Sequence, residues 1–215
     1  MTPTRGVFIT FEGSEGCGKT TQIERLAARL EAEGQPSILT REPGGTPLGE
    51  TIRHLLKYAP EGRDMTPEAE LLLFTASRAQ LMRRIIEPAL EAGNWVIADR
   101  FMDSTTVYQG VARRLDHNAV RFINEFAVGT RRPDLTIILD VDLTEAHRRM
   151  QLRPDHAGAP DRMEQLPADF YKAVRAGYLE LAQNDPDRIR VVKANRGIES
   201  VEEEVWQHVR GLMGK

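Results

Sequence analysis

A strand, a tight turn and a helix are forced on this chain between residues 7 and 33. Gly13-Ser14-Glu15-Gly16-Cys17-Gly18-Lys19-Thr20 is a complete G-x-x-x-x-G-K-[ST] phosphate loop. The apolar run Val7-Phe8-Ile9-Thr10-Phe11 precedes it, and Ile23, Leu26, Ala27 and Leu30 recur behind it at helical spacing. The glycines let backbone N–H groups turn inward around phosphate oxygens, and the helix N-terminus adds a partial positive charge. In such a loop Lys19 reaches the β- and γ-phosphates and the Thr20 hydroxyl ligates Mg²⁺, with Thr21 closing the nucleotide-binding set. Cys17 occupies a spacer slot of the motif rather than that of a catalytic thiol. The ligand this loop selects is a nucleoside triphosphate.

Downstream, apolar runs alternate with helical patterns, as in a parallel sheet covered on both faces. Strands are expected near 7–12, 36–40, 94–98, 134–140 and 189–193. The fold implied is a P-loop NTPase-type three-layer α/β/α sandwich, one domain over 1–215 with a five-stranded parallel sheet. The first helix should stop at Gly34, and Thr66 with Pro67 should open a long helix that Pro88 kinks or splits. Asp116 is placed to cap a helix with Ala119, Phe122, Ile123 and Phe126 as its apolar face, and Thr144 to cap the next. Phe170, Val174, Tyr178 and Leu181 stripe another helix, and Val201, Val205, Trp206 and Val209 the last. Arg153-Pro154-Asp155-His156-Ala157-Gly158-Ala159-Pro160 fits no packed element and reads as part of a small flap (LID) over about 148–165. Arg148, Arg149, Arg153 and Arg162 sit on its shoulders, where they can meet the charge of a phosphoryl group in flight.

A net charge of −3 gives no sign of nucleic-acid binding, so any polyanion must be held by local arginines. The longest apolar runs fall far short of a membrane span, and Met1 to Gly6 is too short and polar for a signal peptide. A single cysteine rules out an internal disulfide and agrees with a reducing cytoplasm.

Two constellations point into the crevice beside the phosphate loop. Asp99-Arg100 closes the run Trp95-Val96-Ile97-Ala98, at the strand end where open α/β sheets bind ligands. Asp99 can orient Mg²⁺ or its waters, and Arg100 can clamp a second phosphate. Asp140, after Ile137-Ile138-Leu139, reads as a structural carboxylate or one standing behind the groups that meet the ligand. Phe74 and Arg78 share a helix face at i, i+4, and suit a flat base with a carbonyl edge: one stacks, the other donates hydrogen bonds.

These blocks bring a family into view. The chain resembles bacterial thymidylate kinases along nearly its whole length. The resemblance is carried by Phe11-Glu12-Gly13 with the phosphate loop, Thr40-Arg41-Glu42-Pro43-Gly44-Gly45-Thr46, Leu73-Phe74 with Arg78, Asp99-Arg100, Ser104 through Tyr108-Gln109-Gly110, Arg132-Pro133-Asp134-Leu135-Thr136, and Asp161-Arg162-Met163-Glu164. It implies phosphoryl transfer from ATP to dTMP with Mg²⁺, and a homodimer. It implies that Phe74 stacks on thymine, with Arg78, Thr105 and Gln109 as hydrogen-bonding neighbours. Tyr108 resembles the ring that disfavours a 2′-hydroxyl, and Glu15 the acid near the acceptor's sugar. Arg53 and Arg100 match arginines on the dTMP phosphate, and Glu42 an acid close to it. Some members carry a catalytic arginine directly after that loop acid; here the slot is Gly16, so the charge should come from the flap, from Arg153 first with Arg149 and Arg162 helping.

The reaction needs no dedicated base, because a phosphate monoester with a second pKa near 6 is about 90% dianionic at neutral pH. It needs proximity between two polyanions, which Lys19, Arg100 and the flap arginines can supply. Two other readings remain open: a kinase for a different nucleoside monophosphate, and a nucleotide-dependent switch. The chain has no Asn-Lys-x-Asp guanine-reading motif. Asn195-Arg196-Gly197, after the last strand, lies at the edge expected for adenine contacts.

Overall fold

The structure is a computed structural model that describes residues 6–152 and 161–213. Strand β1 (Phe8–Glu12) is buried at all five positions, as a parallel strand covered on both faces must be. It lies at the centre of a five-stranded parallel sheet of order β2-β3-β1-β4-β5, with β2 (Ser37–Arg41), β3 (Trp95–Asp99), β4 (Leu135–Asp140) and β5 (Ile189–Lys193). The five expected strands and the expected layering are therefore present. The chain leaves β1 between β3 and β4, where the strand order reverses and a crevice must open at the strands' carboxyl ends. Register completes the placement: Phe11 pairs with Asp99, which sets that carboxylate level with the start of the phosphate loop.

Helices α1 (Lys19–Ala32) and α9 (Ile198–Arg210) cover one face. Leu26, Leu30, Val201, Val205 and Trp206 pack there on Ile9, Phe11 and Ile97. On the other face Phe8, Val96 and Ala98 meet Leu81, Met82 and Ile86 from α3 (Pro67–Leu81) and the π-helical turn Met82–Ile86 that follows it. The remaining helices are α2 (Pro47–Lys57), α4 (Glu87–Glu91), α5 (Met102–Thr105), α6 (His117–Val128), α7 (Leu143–Gln151) and α8 (Ala168–Asn184). A second π-helical segment, Thr106–Ala112, continues α5 and carries Tyr108 and Gln109.

The long helix is interrupted as expected of Pro88: its regular pattern gives way to a π-helical turn over Met82–Ile86, just ahead of the proline, which has no N–H for the Arg84 carbonyl. Two other expectations are corrected. The cap of α7 is Asp142, whose side chain accepts from Glu145 N at 2.9 Å, and not Thr144. Asp142-x-x-Glu145 has the capping spacing that Thr144 lacks. On α6, Asp116 does cap, but Phe122 and Phe126 point outward with 69% and 78% of their surface exposed. At 3.6 residues per turn, Val120, Asn124, Ala127 and Val128 form the stripe that faces the body, and the two phenylalanines lie opposite.

Candidate active site

The phosphate loop follows β1 directly. A Cβ at Gly13 would lie 2.6 Å from the Leu139 carbonyl oxygen, and one at Gly16 would lie 2.3 Å from that of Ala146 on α7. Both glycines have positive φ, so a side chain there meets strain as well as a clash. An arginine at the Gly16 slot therefore has no room. Lys19 is buried and curls onto its own loop, donating to Ser14 O at 3.0 Å and Gly13 O at 3.3 Å. Cys17 is buried, with Lys19 Nζ 3.6 Å from its sulfur.

A crevice of about 500 Å³ runs from this loop across the sheet edge. Glu15, Lys19 and Thr20 from the phosphate loop line it together with Phe74, Arg78, Thr105, Tyr108 and Gln109. Glu42, Arg53, Asp99 and Arg100 complete the lining. Residues separated by nearly the length of a domain in sequence thus share one cavity.

Arg100 sits in the left-handed region (φ 68°), anchored by its N–H to Phe11 O at 2.9 Å. Its Nη2 donates to Glu15 Oε1 at 2.9 Å, and its guanidinium lies 5.2 Å from the centre of the Tyr108 ring. Burial pushes the Glu15 carboxyl up, but Arg100, Lys19 and Lys57 outweigh it and hold the group well below the usual carboxylate range. Asp99 Oδ1 is buried and has no hydrogen-bond partner among the described residues. The Tyr108 hydroxyl is in the same condition, and its pKa is raised by burial.

Arg78 does not project freely into the crevice. It is 1% exposed and forks onto Glu42, with Nε donating to Oε2 at 2.9 Å and Nη2 to Oε1. Its Nη1 reaches Asn124 Oδ1 at 2.5 Å and its Nη2 also Thr105 Oγ1 at 2.7 Å. Burial pushes the Glu42 carboxyl up, against the pull of Arg78. Gln109 is buried and donates to Glu70 Oε1 at 2.8 Å. Arg53 donates to Pro43 O at 2.9 Å, which leaves it on the crevice wall.

The flap arginines divide. Arg149 borders the phosphate loop: a Cβ on Gly18 would lie 4.0 Å from its Nη1. It is held by Glu145 Oε1 and Ala194 O at 2.7 and 2.8 Å. Arg148 also pairs with Glu145, and the two guanidiniums bring that carboxyl down to about 2. Arg162 turns the other way, onto Leu56 O at 2.9 Å and Glu70 Oε2 at 2.6 Å, and does not line the crevice. Arg153 lies outside the described residues. Asp140 pairs with Arg175 at 2.6 Å, the structural part expected of it. Asn195 and Arg196 are engaged with Asp142 and Glu204.

Several neighbours were not visible from sequence reasoning. Lys57 pairs with Asp161 at 2.7 Å, tying the end of α2 to the flap's far shoulder, and both line the crevice. Glu70 gathers Gln109, Arg113 and Arg162 around one buried carboxylate. Glu12 and Tyr178 meet beneath Arg100 at 2.7 Å, although Tyr178 is only one member of an apolar helical stripe in the sequence. A charged residue at an otherwise apolar strand end, Glu12 after Phe11, was the one visible signal.

For a metal, Thr20 and Asp99 share the crevice with Lys19, and the orphaned Asp99 oxygen suits a cation or its water. Among the described residues no group of three or more His, Cys, Asp or Glu is arranged to hold a metal alone. Mg²⁺ asks for less, since it keeps waters and takes substrate phosphate oxygens. No helix among the described residues is long and apolar enough to cross a membrane.

Comparison with known proteins agrees over the same length. The family model described as thymidylate kinase matches residues 11–205. The thymidylate kinase of a Bradyrhizobium species is 45% identical over 208 residues, 97% of this chain and 91% of its own. That of Deinococcus radiodurans is 44% identical over 206 residues, 96% of this chain and 97% of its own. The crystal structure of thymidylate kinase from Ehrlichia chaffeensis superposes with a TM-score of 0.76 at 35% identity, covering 95% of this chain and 99% of that one.

Proposed function

The chain belongs to the thymidylate kinase family, and on that premise we propose that its crevice carries the γ-phosphoryl group of Mg·ATP to dTMP, giving ADP and dTDP. The observation that carries this reading is the single cavity joining the phosphate loop to the aromatic and amide subsite around Phe74 and Gln109. A donor triphosphate on the loop and an acceptor base on Phe74 then face each other across Asp99 and Arg100.

In this reading the loop N–H groups and Lys19 hold the donor's phosphates, and Lys19 leaves its own loop carbonyls to do so. Arg100 and Arg53 hold the acceptor phosphate, whose dianionic oxygen is already the nucleophile. Phe74 stacks on the base; Gln109 and Thr105 fix its edge. Arg78 acts at one remove, since its donors are occupied by Glu42, Asn124 and Thr105. Tyr108 bounds the sugar. Thr20 and Asp99 would hold Mg²⁺, which supplies charge neutralisation for the transferring group. Arg149 and Arg153 meet that group from the flap, and Arg162 serves as an anchor of the flap's far shoulder.

We further propose that the protein works in the cytoplasm as a homodimer. Support for the dimer comes from Phe122 and Phe126 on α6 and Leu72 on the adjacent α3, large apolar side chains that the monomer leaves exposed.

The test is ADP release from Mg·ATP with dTMP, dUMP, UMP, dCMP, AMP and GMP supplied in turn. Stimulation that is strongest with dTMP, with dTDP formed, supports the reading. Equal or greater stimulation by another monophosphate moves the assignment to that acceptor, and none by any of them favours the switch.

A further inference from the structure

We infer that Glu12 is a positioning residue, which acts through the hydroxyls of Ser104 and Tyr178 to hold Arg100 in the orientation that meets the acceptor's phosphate. The inference rests on the proposed role of Arg100 as a phosphate clamp.

Glu12 ends β1 with its side chain wholly buried. Every neighbour within hydrogen-bond reach is a donor to it. Phe101 N and Ser104 N donate to Oε1 at 2.8 and 3.3 Å. Ser104 Oγ and Tyr178 Oη donate to Oε2 at 2.6 and 2.7 Å. The same two hydroxyl oxygens lie 3.2 and 3.3 Å from Arg100 Nη1 and accept from it. They are also 2.9 Å from each other.

The direction of these bonds decides what Arg100 feels. Each hydroxyl has one hydrogen and two lone pairs. A buried carboxylate takes both hydrogens, because charge-assisted hydrogen bonds outbid a neutral contact between the two hydroxyls. The lone pairs that remain face Arg100 Nη1. Glu12 therefore converts two hydroxyls, each able to donate or accept, into a fixed acceptor cradle for a guanidinium. Its bonds to Phe101 N and Ser104 N fix the turn that gives Arg100 its positive φ, so position and orientation come from one carboxylate.

No isosteric amide can do this. Gln at this position has one accepting end, while both ends of Glu12 face donors. Its NH₂ must oppose either the two backbone N–H groups or the two hydroxyls.

The test compares binding of dTMP with binding of thymidine, the same ligand without its phosphate, to Glu12→Gln, Tyr178→Phe, Ser104→Ala, Arg100→Ala and the Tyr178→Phe/Arg100→Ala double variant. Loss of a hydrogen bond to a charged group corresponds to about tenfold or more in affinity. We expect Glu12→Gln and Tyr178→Phe to weaken dTMP by about tenfold while leaving thymidine within about twofold. We also expect Tyr178→Phe to add nothing once Arg100 is gone. Should Glu12→Gln fail to fold, the two hydroxyl variants carry the test. An equal loss of dTMP and thymidine would mean that the network merely holds the loop and would overturn the inference, as would unchanged dTMP binding by Tyr178→Phe. Additivity with Arg100→Ala would overturn it too. If Arg100→Ala itself fails to separate dTMP from thymidine, the phosphate-clamp reading falls first and takes the inference with it; if Arg100→Ala separates them and Glu12→Gln does not, only the inference falls.

Discussion

Glu70→Ala is the substitution whose effect follows most directly from geometry. The Glu70 side chain is 1% exposed and accepts from Gln109 Nε2 at 2.8 Å and Arg113 Nη2 at 3.1 Å, with Arg162 Nη2 at 2.6 Å. Truncation leaves the buried Gln109 amide without its acceptor, which costs about 1–3 kcal/mol. Arg113 and Arg162 retain side-chain exposures of 23% and 18%, although the Arg162 Nη2 that meets Glu70 is itself buried. The penalty of about 3–5 kcal/mol for breaking a fully buried pair therefore applies only in part. Together the loss is about 3 kcal/mol, and at about 2–4 °C per kcal/mol for a chain of this size Tm falls by about 6–12 °C. Urea and thermal unfolding at neutral pH measure both. A loss below about 1 kcal/mol would refute the idea that this carboxylate ties α3, the π-helical segment and the flap shoulder together. Acidity gives a second check, with Glu70→Gln. Burial pushes the Glu70 carboxyl up, but Gln109, Arg113 and Arg162 outweigh it and leave the group below its ordinary value of 4.5. A depressed carboxyl stabilises the fold above its unfolded pKa and loses that contribution as pH falls through the folded one. The stability gap between wild type and Glu70→Gln must then narrow below about pH 4.5, and a gap that widens on acidification contradicts the assignment.

Other substitutions probe the crevice and the outer face. Arg78→Lys keeps the charge but cannot serve Glu42, Asn124 and Thr105 at once, and is expected to lower stability by about 3 kcal/mol in denaturant titration. Tyr108→Phe removes a buried hydroxyl with no partner among the described residues but keeps the ring that bounds the sugar, so Tm should hold or rise and selectivity against UMP, read from kcat/KM ratios, should stay, whereas Tyr108→Ala should lower that selectivity. Asp99→Asn should raise the Mg²⁺ concentration for half-maximal activity by about tenfold or more with the melting curve unchanged, as seen in a metal titration. Phe122→Ser with Phe126→Ser should shift sedimentation toward the monomer without unfolding the chain, since neither ring contributes to the core.

Much of the site was legible because it is local. The phosphate loop is contiguous, and its glycines, lysine and threonine are required by a backbone turn that no distant residue can substitute. Asp99-Arg100 was legible at second hand, since a strand that ends in charge must end at the sheet's edge. Phe122 and Phe126 were misread because an apolar helix face has the same period whether it is covered by the chain's own core or left facing outward. The partner of Arg162 was not legible, because a run of arginines near a loop carries no information about which carboxylate each one finds.

The sequence by itself determined that a phosphate loop would join β1 to α1, that five strands would stack in parallel, and that Phe74 and Arg78 would share a helix face. Local periodicity and turn chemistry fix such features within a few residues. Only the tertiary structure decided that Arg78 is spent on Glu42, that Glu70 binds both Gln109 and the flap shoulder, and that Tyr178 reaches across to Glu12 beneath Arg100. Those partners lie from 36 to 166 positions apart. A buried polar group takes whichever partner the packing of the layers brings within about 3 Å, and no sequence period encodes that distance.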